Sequence, residues 1–348
     1  MKNIICILAL LVVACNKIEP IEIVAPERDI DTQTLKQYKS QLQNRLITMG
    51  MFYNWGQESG AFLKSTPDSL DVIVLKNNYL QMNDILKNDL KFVQEKKATK
   101  VLVGIELETF YQEYEAEKEQ KITTSKAEKE QEWKVTNERL SADEKKEILQ
   151  QIEQTITNNL IKEAKEKLMQ QATTVVQFAK NNGFDGVSIE FPQNLNEVYS
   201  AENLDNFLAE ITKEAGKGKN LLLVIENPYG ERGETTDVKP IDSANWIVYR
   251  QKGKALFKNF DEQAQKWASF RYLPSVDFGE EDLAEGFADT KIFAPSGRLP
   301  RTIDVINWNA TNKGGVAYYH IEKNYHDIVG NVSFKTLRNA IGKIQLTK

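Results

Sequence analysis

Eight short apolar runs, rich in β-branched residues and separated by longer polar or amphipathic stretches, restrict what this chain can fold into. They are Leu46–Tyr53, Asp71–Lys76, Lys100–Leu107, Gly186–Phe191, Asn220–Glu226, Trp246–Arg250, Arg271–Phe278 and Gly315–Ile321. Their apolar character is continuous rather than alternating, which marks strands buried on both faces, as in parallel sheets covered by helices. Intervals of roughly 25 to 35 residues, one of them much longer, leave room for a crossover helix each time. By length alone the 348 residues fit one domain or two. Eight strand–helix units instead predict an α/β chain closed into a single (β/α)8 TIM barrel over residues 34–348.

The long interval lies between strands 3 and 4. Residues 111–140 are highly charged with few large apolar side chains, which predicts a solvated helical insertion over the barrel mouth. Ser141 and Glu144 then match a capping box, followed by Ile148, Ile152, Ile156 and Leu160 at i+4 spacing. A second stripe, Leu168, Ala172, Val175, Val176 and Ala179, leads to Asn182-Gly183, a helix stop. Both stripes are expected to face the core.

The two cysteines, Cys6 and Cys15, both precede residue 16, so a disulfide framework or cysteine nucleophile in the body is excluded. The apolar run from Ile4 to Ala14 is too short to span a bilayer but fits a signal-peptide core. Val12-Val13-Ala14-Cys15 resembles the bacterial lipobox, which implies a lipoprotein signal peptide over 1–14 and lipidation at Cys15; the alternative is an ordinary signal peptide cut after Ala14. Residues 15–33 contain two prolines and several charges without a helical stripe, and read as a tether.

Lys and Arg total 45 against 50 Asp and Glu, a formal net charge of −5, which argues against a general nucleic-acid binder. With His320 and His326 the only histidines, a His-rich metal site is not expected. No phosphate loop, dinucleotide fingerprint, zincin helix or EF-hand loop occurs, so neither cofactor nor metal is expected.

Ligand contacts in such barrels collect at the C-terminal ends of the strands. Those positions hold Tyr53, Asn54 and Trp55, then Asn77 and Asn78, Glu106 and Glu108, Ser188 and Glu190, and Glu226, Asn227 and Tyr229. Tyr249 and Arg250, Asp277, and Tyr318, Tyr319 and His320 complete the set. Aromatics mixed with carboxylates and amides suit a sugar, because a ring stacks on its C–H face while polar groups pair with hydroxyls.

The segment Gly183–Pro192, GFDGVSIEFP, resembles the strand-4 signature of glycoside hydrolase family 18, the chitinases and endo-β-N-acetylglucosaminidases, which reads DG-apolar-D-apolar-D-x-E. The family's fold is a (β/α)8 barrel with this motif on strand 4. Asp185 and Gly186 match; Ser188 stands at the first inner aspartate, Glu190 at the second and Pro192 at the proton-donating glutamate. Period-2 geometry puts 188, 190 and 192 on one strand face, so a one-residue slip restores no acid. In the family the second inner aspartate orients the substrate's own acetamide as nucleophile. Tyr249 stands where the resemblance implies a substrate-binding tyrosine, although Arg250 replaces the aspartate that usually follows.

The resemblance therefore implies a barrel without its acid, so that no catalytic residue is expected, and a groove retained for N-acetylglucosamine-containing glycans, N-glycans or chitooligosaccharides. The expected ligand contacts are Tyr53, Trp55, Asn77, Asp185, Ser188, Glu190, Asn227, Tyr229, Tyr249, Arg250 and Tyr319. Such barrels resemble surface lipoproteins of Bacteroidetes that serve a glycan importer and hydrolase at the outer membrane, lipid-anchored on its cell-surface or periplasmic side. The alternative is an active glycosidase using Glu106, Glu108, Glu190 or Glu226, with Glu190 the first candidate. A third reading is a scaffold whose 111–140 insertion contacts another protein.

Overall fold

Each apolar run becomes a strand in the computed structural model, with limits within two residues of those expected. Residues 30–57, 60–137, 139–230, 237–251, 255–280, 283–290, 293–294, 297–330 and 332–346 are described. The signal segment, Cys15 and most of the tether lie outside them. Thr32–Lys348 forms one compact unit.

The strands are β1 (Ile47–Phe52), β2 (Val72–Leu75), β3 (Lys100–Glu106), β4 (Gly186–Glu190), β5 (Leu222–Glu226), β6 (Trp246–Tyr249), β7 (Tyr272–Asp277) and β8 (Gly315–Tyr319). Each pairs in parallel with its sequence neighbours, and β8 pairs with β1 to close the barrel. Gly315 makes that closure possible: at φ +147°, a Cβ there would lie 2.0 Å from the Ile47 carbonyl oxygen.

Continuous apolar runs are required because both strand faces are covered. Met49, Met51, Val72, Val74, Leu102, Val224, Trp246, Val248, Leu273 and Ala317 fill the barrel. Ile73, Val101, Val103, Val187, Ile189, Leu223, Ile225 and Ile247 point the other way, into the shell beneath the helices. Each such side chain contributes roughly 1.5–3 kcal/mol by leaving water.

The helices are α1 (Thr32–Lys39), α2 (Asp84–Lys96), α3 (Leu107–Thr136), α4 (Ala142–Asn181), α5 (Ala201–Ile211), α6 (Phe257–Lys266), α7 (Arg301–Asn307) and α8 (Lys335–Leu346). The expectation of a helix in every crossover is corrected at two places. Between β1 and β2 the described residues make only a 3-10 turn, Leu63–Ser65, and between β5 and β6 only Pro240–Ser243. Their outer strand faces are covered instead by loop side chains such as Leu63 and Ile241, both buried.

The insertion is longer than its charged core implied. α3 leaves the end of β3 directly, and α4 returns antiparallel to it after the Ser141 capping box, in which Ser141 N–H donates to Glu144 at 2.8 Å and Ser141 Oγ accepts from Glu144 N–H at 3.3 Å. At 1.5 Å per residue, helices of 30 and 40 residues are about 45 and 60 Å long. The second stripe of α4 is buried on the barrel as expected. The first faces the core only in part: Leu160 is buried in it and Ile156 packs against it, while Ile148 and Ile152 remain half-buried. A two-helix hairpin has no third layer to cover such a stripe.

Candidate functional site

The barrel interior turns polar at its C-terminal end, where the inward row of each strand reaches its last position or the next. Lys76, one residue past β2, is fully buried there. Its Nζ lies 2.7 Å from Glu190 Oε2, 3.1 Å from both Glu226 oxygens and 3.4 Å from Glu106 Oε1. Adjacent strands in register place Glu106, Glu190 and Glu226 side by side at the ends of β3, β4 and β5. Gly104 admits the lysine stem, since a Cβ there would approach Lys76 Cδ to 3.2 Å and Val74 Cγ1 to 3.0 Å.

Glu226 also accepts from Ser188 Oγ at 2.7 Å and Tyr319 OH at 2.6 Å. Glu190 accepts from Asn227 Nδ2 at 3.2 Å, and Tyr53 OH donates to Glu106 at 3.3 Å. Burial works to lower the Lys76 ammonium, but Glu226 and Glu190 outweigh it and hold the group above the usual lysine range. Burial pushes the Glu226 carboxyl up, against the pull of Lys76.

A second charge group completes the mouth. Asp277 accepts from Arg250 Nη2 at 2.5 Å and Gly279 N–H at 2.7 Å, and lies 2.6 Å from His320 Nδ1. Burial works to raise its carboxyl, but His320, Gly279 and Arg250 prevail and hold it far below the usual range. The His320 ring stacks on Tyr53, centroids 4.1 Å apart, and the Arg250 guanidinium lies 4.5 Å from the Tyr319 ring centroid. Of the seven described non-glycine residues with positive φ, Asn54, Asn78, Asn227 and His320 follow strand ends at this face. Backbone strain gathers where a fold positions function.

Of the expected contact residues, Tyr53, Asn77, Glu190, Asn227 and Arg250 come together at the mouth. Asn77 acts through the loop backbone, its Oδ1 accepting from Asn54 N–H at 2.6 Å. Ser188 and Tyr319 are also there but buried as the floor, both fully shielded from solvent, so neither is a rim contact. Four expectations are corrected. Trp55 is buried in the outer shell, its Nε1 donating to Asp89 at 2.8 Å. Asp185 precedes β4 at the opposite end of the barrel, where it accepts from Lys100 at 2.7 Å and Val101 N–H at 3.0 Å. Tyr249 faces outward against Phe260, because period 2 sends 248 and 250 inward. Tyr229 packs edge-on against Phe191 and donates to Asp205, outside the barrel. β4 also ends at Glu190, so Pro192 does not extend its inward row; it is buried beyond the strand.

Sequence reasoning missed Lys76, which reads as the ordinary polar end of an apolar run. The available signal was its place on the inward row, two residues after Val74. It missed Glu322 as well, whose Oε2 accepts from Tyr53 N–H at 3.0 Å.

The arrangement supplies hydroxyl, amide and guanidinium donors beside partly exposed Glu106, Arg250 and His320. Glu190 and Glu226 are engaged as acceptors from Lys76 and their other partners. Among the described residues no three His, Cys, Asp or Glu are placed to hold a metal ion.

No protein-family model and no curated protein matches the chain. Among solved structures it is similar to one titled "BT1044SeMet E190Q", with 18% identity, 89% of this chain and 92% of that chain covered, and a TM-score of 0.55. It is also similar to a chitinase from Bacteroides thetaiotaomicron, with 13% identity, 88% and 98% covered, and a TM-score of 0.49. A glycoside hydrolase family 18 chitinase from Pseudoalteromonas aurantia follows, with 13% identity, 85% and 99% covered, and a TM-score of 0.46. The first likeness spans nearly all of both chains, and the barrel is a fold the two share.

Proposed function

We propose that this chain is a lipid-anchored binding protein that holds N-acetylglucosamine-containing glycans, N-glycans or chitooligosaccharides, at its barrel mouth without cleaving them. The observation that carries this reading is the occupation of Glu106, Glu190 and Glu226 by Lys76. An acid catalyst must present a proton to the leaving oxygen. Here the carboxylates at three successive strand ends share one buried ammonium, and proline stands where the family 18 signature carries its acid. Tyr53, Glu106, Asn227, Arg250 and His320 remain for a sugar's C–H face and hydroxyls.

The resemblance of GFDGVSIEFP to the family 18 signature supports the glycan class, and the lipobox-like Cys15 supports an anchor at the outer membrane, on its cell-surface or periplasmic side. A glycan importer and an active hydrolase are the partners this reading implies. Calorimetric titration with an N-glycan core and a chitooligosaccharide tests it, alongside mass spectrometry of a glycoprotein incubated with the chain. Binding without release is expected. Flat titrations overturn the reading, and released glycan that disappears in Glu190→Gln overturns it in favour of a glycosidase.

A further inference from the structure

We propose that the groove at the root of the α3–α4 hairpin is a second binding site, for a primary alkylammonium group. It lies between α3, α4 and the loop after β4, shares no lining residue with the barrel mouth, and encloses about 80 Å³. Buried Tyr114, Leu160, Leu168 and Tyr199 line it, with half-buried Phe110.

Its unfilled polar capacity is acceptor capacity. Gln171 lines the groove and its Oε1 is buried without a hydrogen-bond partner. An amide oxygen left so keeps an uncompensated desolvation cost until a donor reaches it. Glu113, Glu117 and Glu163 stand on the same walls. Glu117 pairs with Lys121 at 2.6 Å, and Lys167 is the one cation among the described lining residues. Glu113 makes no ion pair among the described residues. Its charge acts on Tyr199, whose phenol is pushed up to about 12 by burial first and Glu113 second.

Aromatic faces, unpaired carboxylate and an orphan carbonyl together favour a cation with N–H donors on an apolar stem. A neutral hydroxyl compound would gain from the amide oxygen alone. The contrast with the mouth is chemical: there the chain's own Lys76 ammonium lies within hydrogen-bond reach of the carboxylates, whereas here Lys118 lies over the Tyr114 ring, 5.0 Å from its centroid, and Gln171 Oε1 has no donor. A free diamine and a lysine side chain of a polypeptide share the required chemistry.

Titration of the full chain, followed by calorimetry, with cadaverine, Nα-acetyl-lysine amide and 1-pentanol tests the site. At least one amine is expected to bind at millimolar concentration and the alcohol not to bind. A tighter cadaverine isotherm indicates a free diamine, and a tighter lysine-amide isotherm indicates a polypeptide side chain. Gln171→Leu and Glu113→Gln are each expected to weaken the amine about tenfold, with thermal unfolding and glycan titration unchanged. Equal binding of pentanol, no binding of either amine, or full affinity in the Gln171→Leu/Glu113→Gln double variant overturns the proposal.

Discussion

Two buried lysines mark the two ends of the barrel, and their surroundings have opposite consequences. At the N-terminal end Lys39, on α1, donates to the carbonyls of Leu70 at 2.5 Å and Asp68 at 2.7 Å and to Thr99 Oγ1 at 2.9 Å. At the mouth Lys76 meets carboxylates. The residues are 4% and 6% exposed. Burial lowers Lys39 to about 7, with Asp71 opposing, whereas the glutamates hold Lys76 above its ordinary value. Depth of burial does not decide the charge of a lysine; the formal charge of its acceptors does. At the base Lys39 is held by carbonyl and hydroxyl oxygens, and at the mouth Lys76 sits in an ionic cluster.

The largest way to break this contrast is Lys76→Met, which leaves Glu190 and Glu226 buried and uncompensated. Urea unfolding at pH 7 is expected to show a loss of about 3–5 kcal/mol, shrinking as acid protonates the glutamates. A loss below about 1 kcal/mol would mean that the cluster behaves like an exposed ion pair.

Lys39→Met removes a donor from neutral acceptors, and its expected cost is smaller, about 1–3 kcal/mol. Its pH dependence is the sharper measurement. The folded-state value, about 7, lies below the ordinary 10.5, so between them the unfolded chain binds more protons. Stability relative to Lys39→Met therefore rises from about pH 7 to about pH 10.5. Lys76 has the opposite sign: its contribution is complete below the ordinary value and is lost only as pH climbs through the raised one. Unfolding curves across this span that are parallel for wild type and Lys39→Met would refute the difference.

Tyr53→Ala and Asp185→Asn set the two ends against each other in binding. Tyr53→Ala is expected to weaken glycan binding about tenfold, near 1.4 kcal/mol, in calorimetry. Asp185→Asn, at the base, is expected to cost under about 1 kcal/mol in stability and to leave the glycan titration unchanged. Weaker glycan binding in Asp185→Asn would return that residue to the site.

The barrel was largely legible because its signals are local. Val72–Leu75, Leu222–Glu226 and Trp246–Tyr249 announce themselves as buried strands within four or five residues, and Ser141 with Glu144 marks the start of α4 by two hydrogen bonds within one turn. The site was legible by position and not by direction. Trp55 and Tyr249 stand at strand ends like Tyr53 and Arg250, yet loop geometry and the pleat turn them outward into the shell. Asp185 belongs to the recognised motif, but it lies at the far end of the same strand from Glu190, about 17 Å away for five residues of extended chain.

By itself the amino-acid sequence determined the class of fold and the parallel strands, because hydrophobic period and helix caps act over a few residues. Only the tertiary structure decided what the mouth is. Lys76 and Glu226 are 150 residues apart, and no local pattern says that closing the barrel brings one ammonium into contact with both Glu190 and Glu226 and within 3.4 Å of Glu106. Charges interact through space at a strength set by burial and distance, and both are known only once the chain has closed.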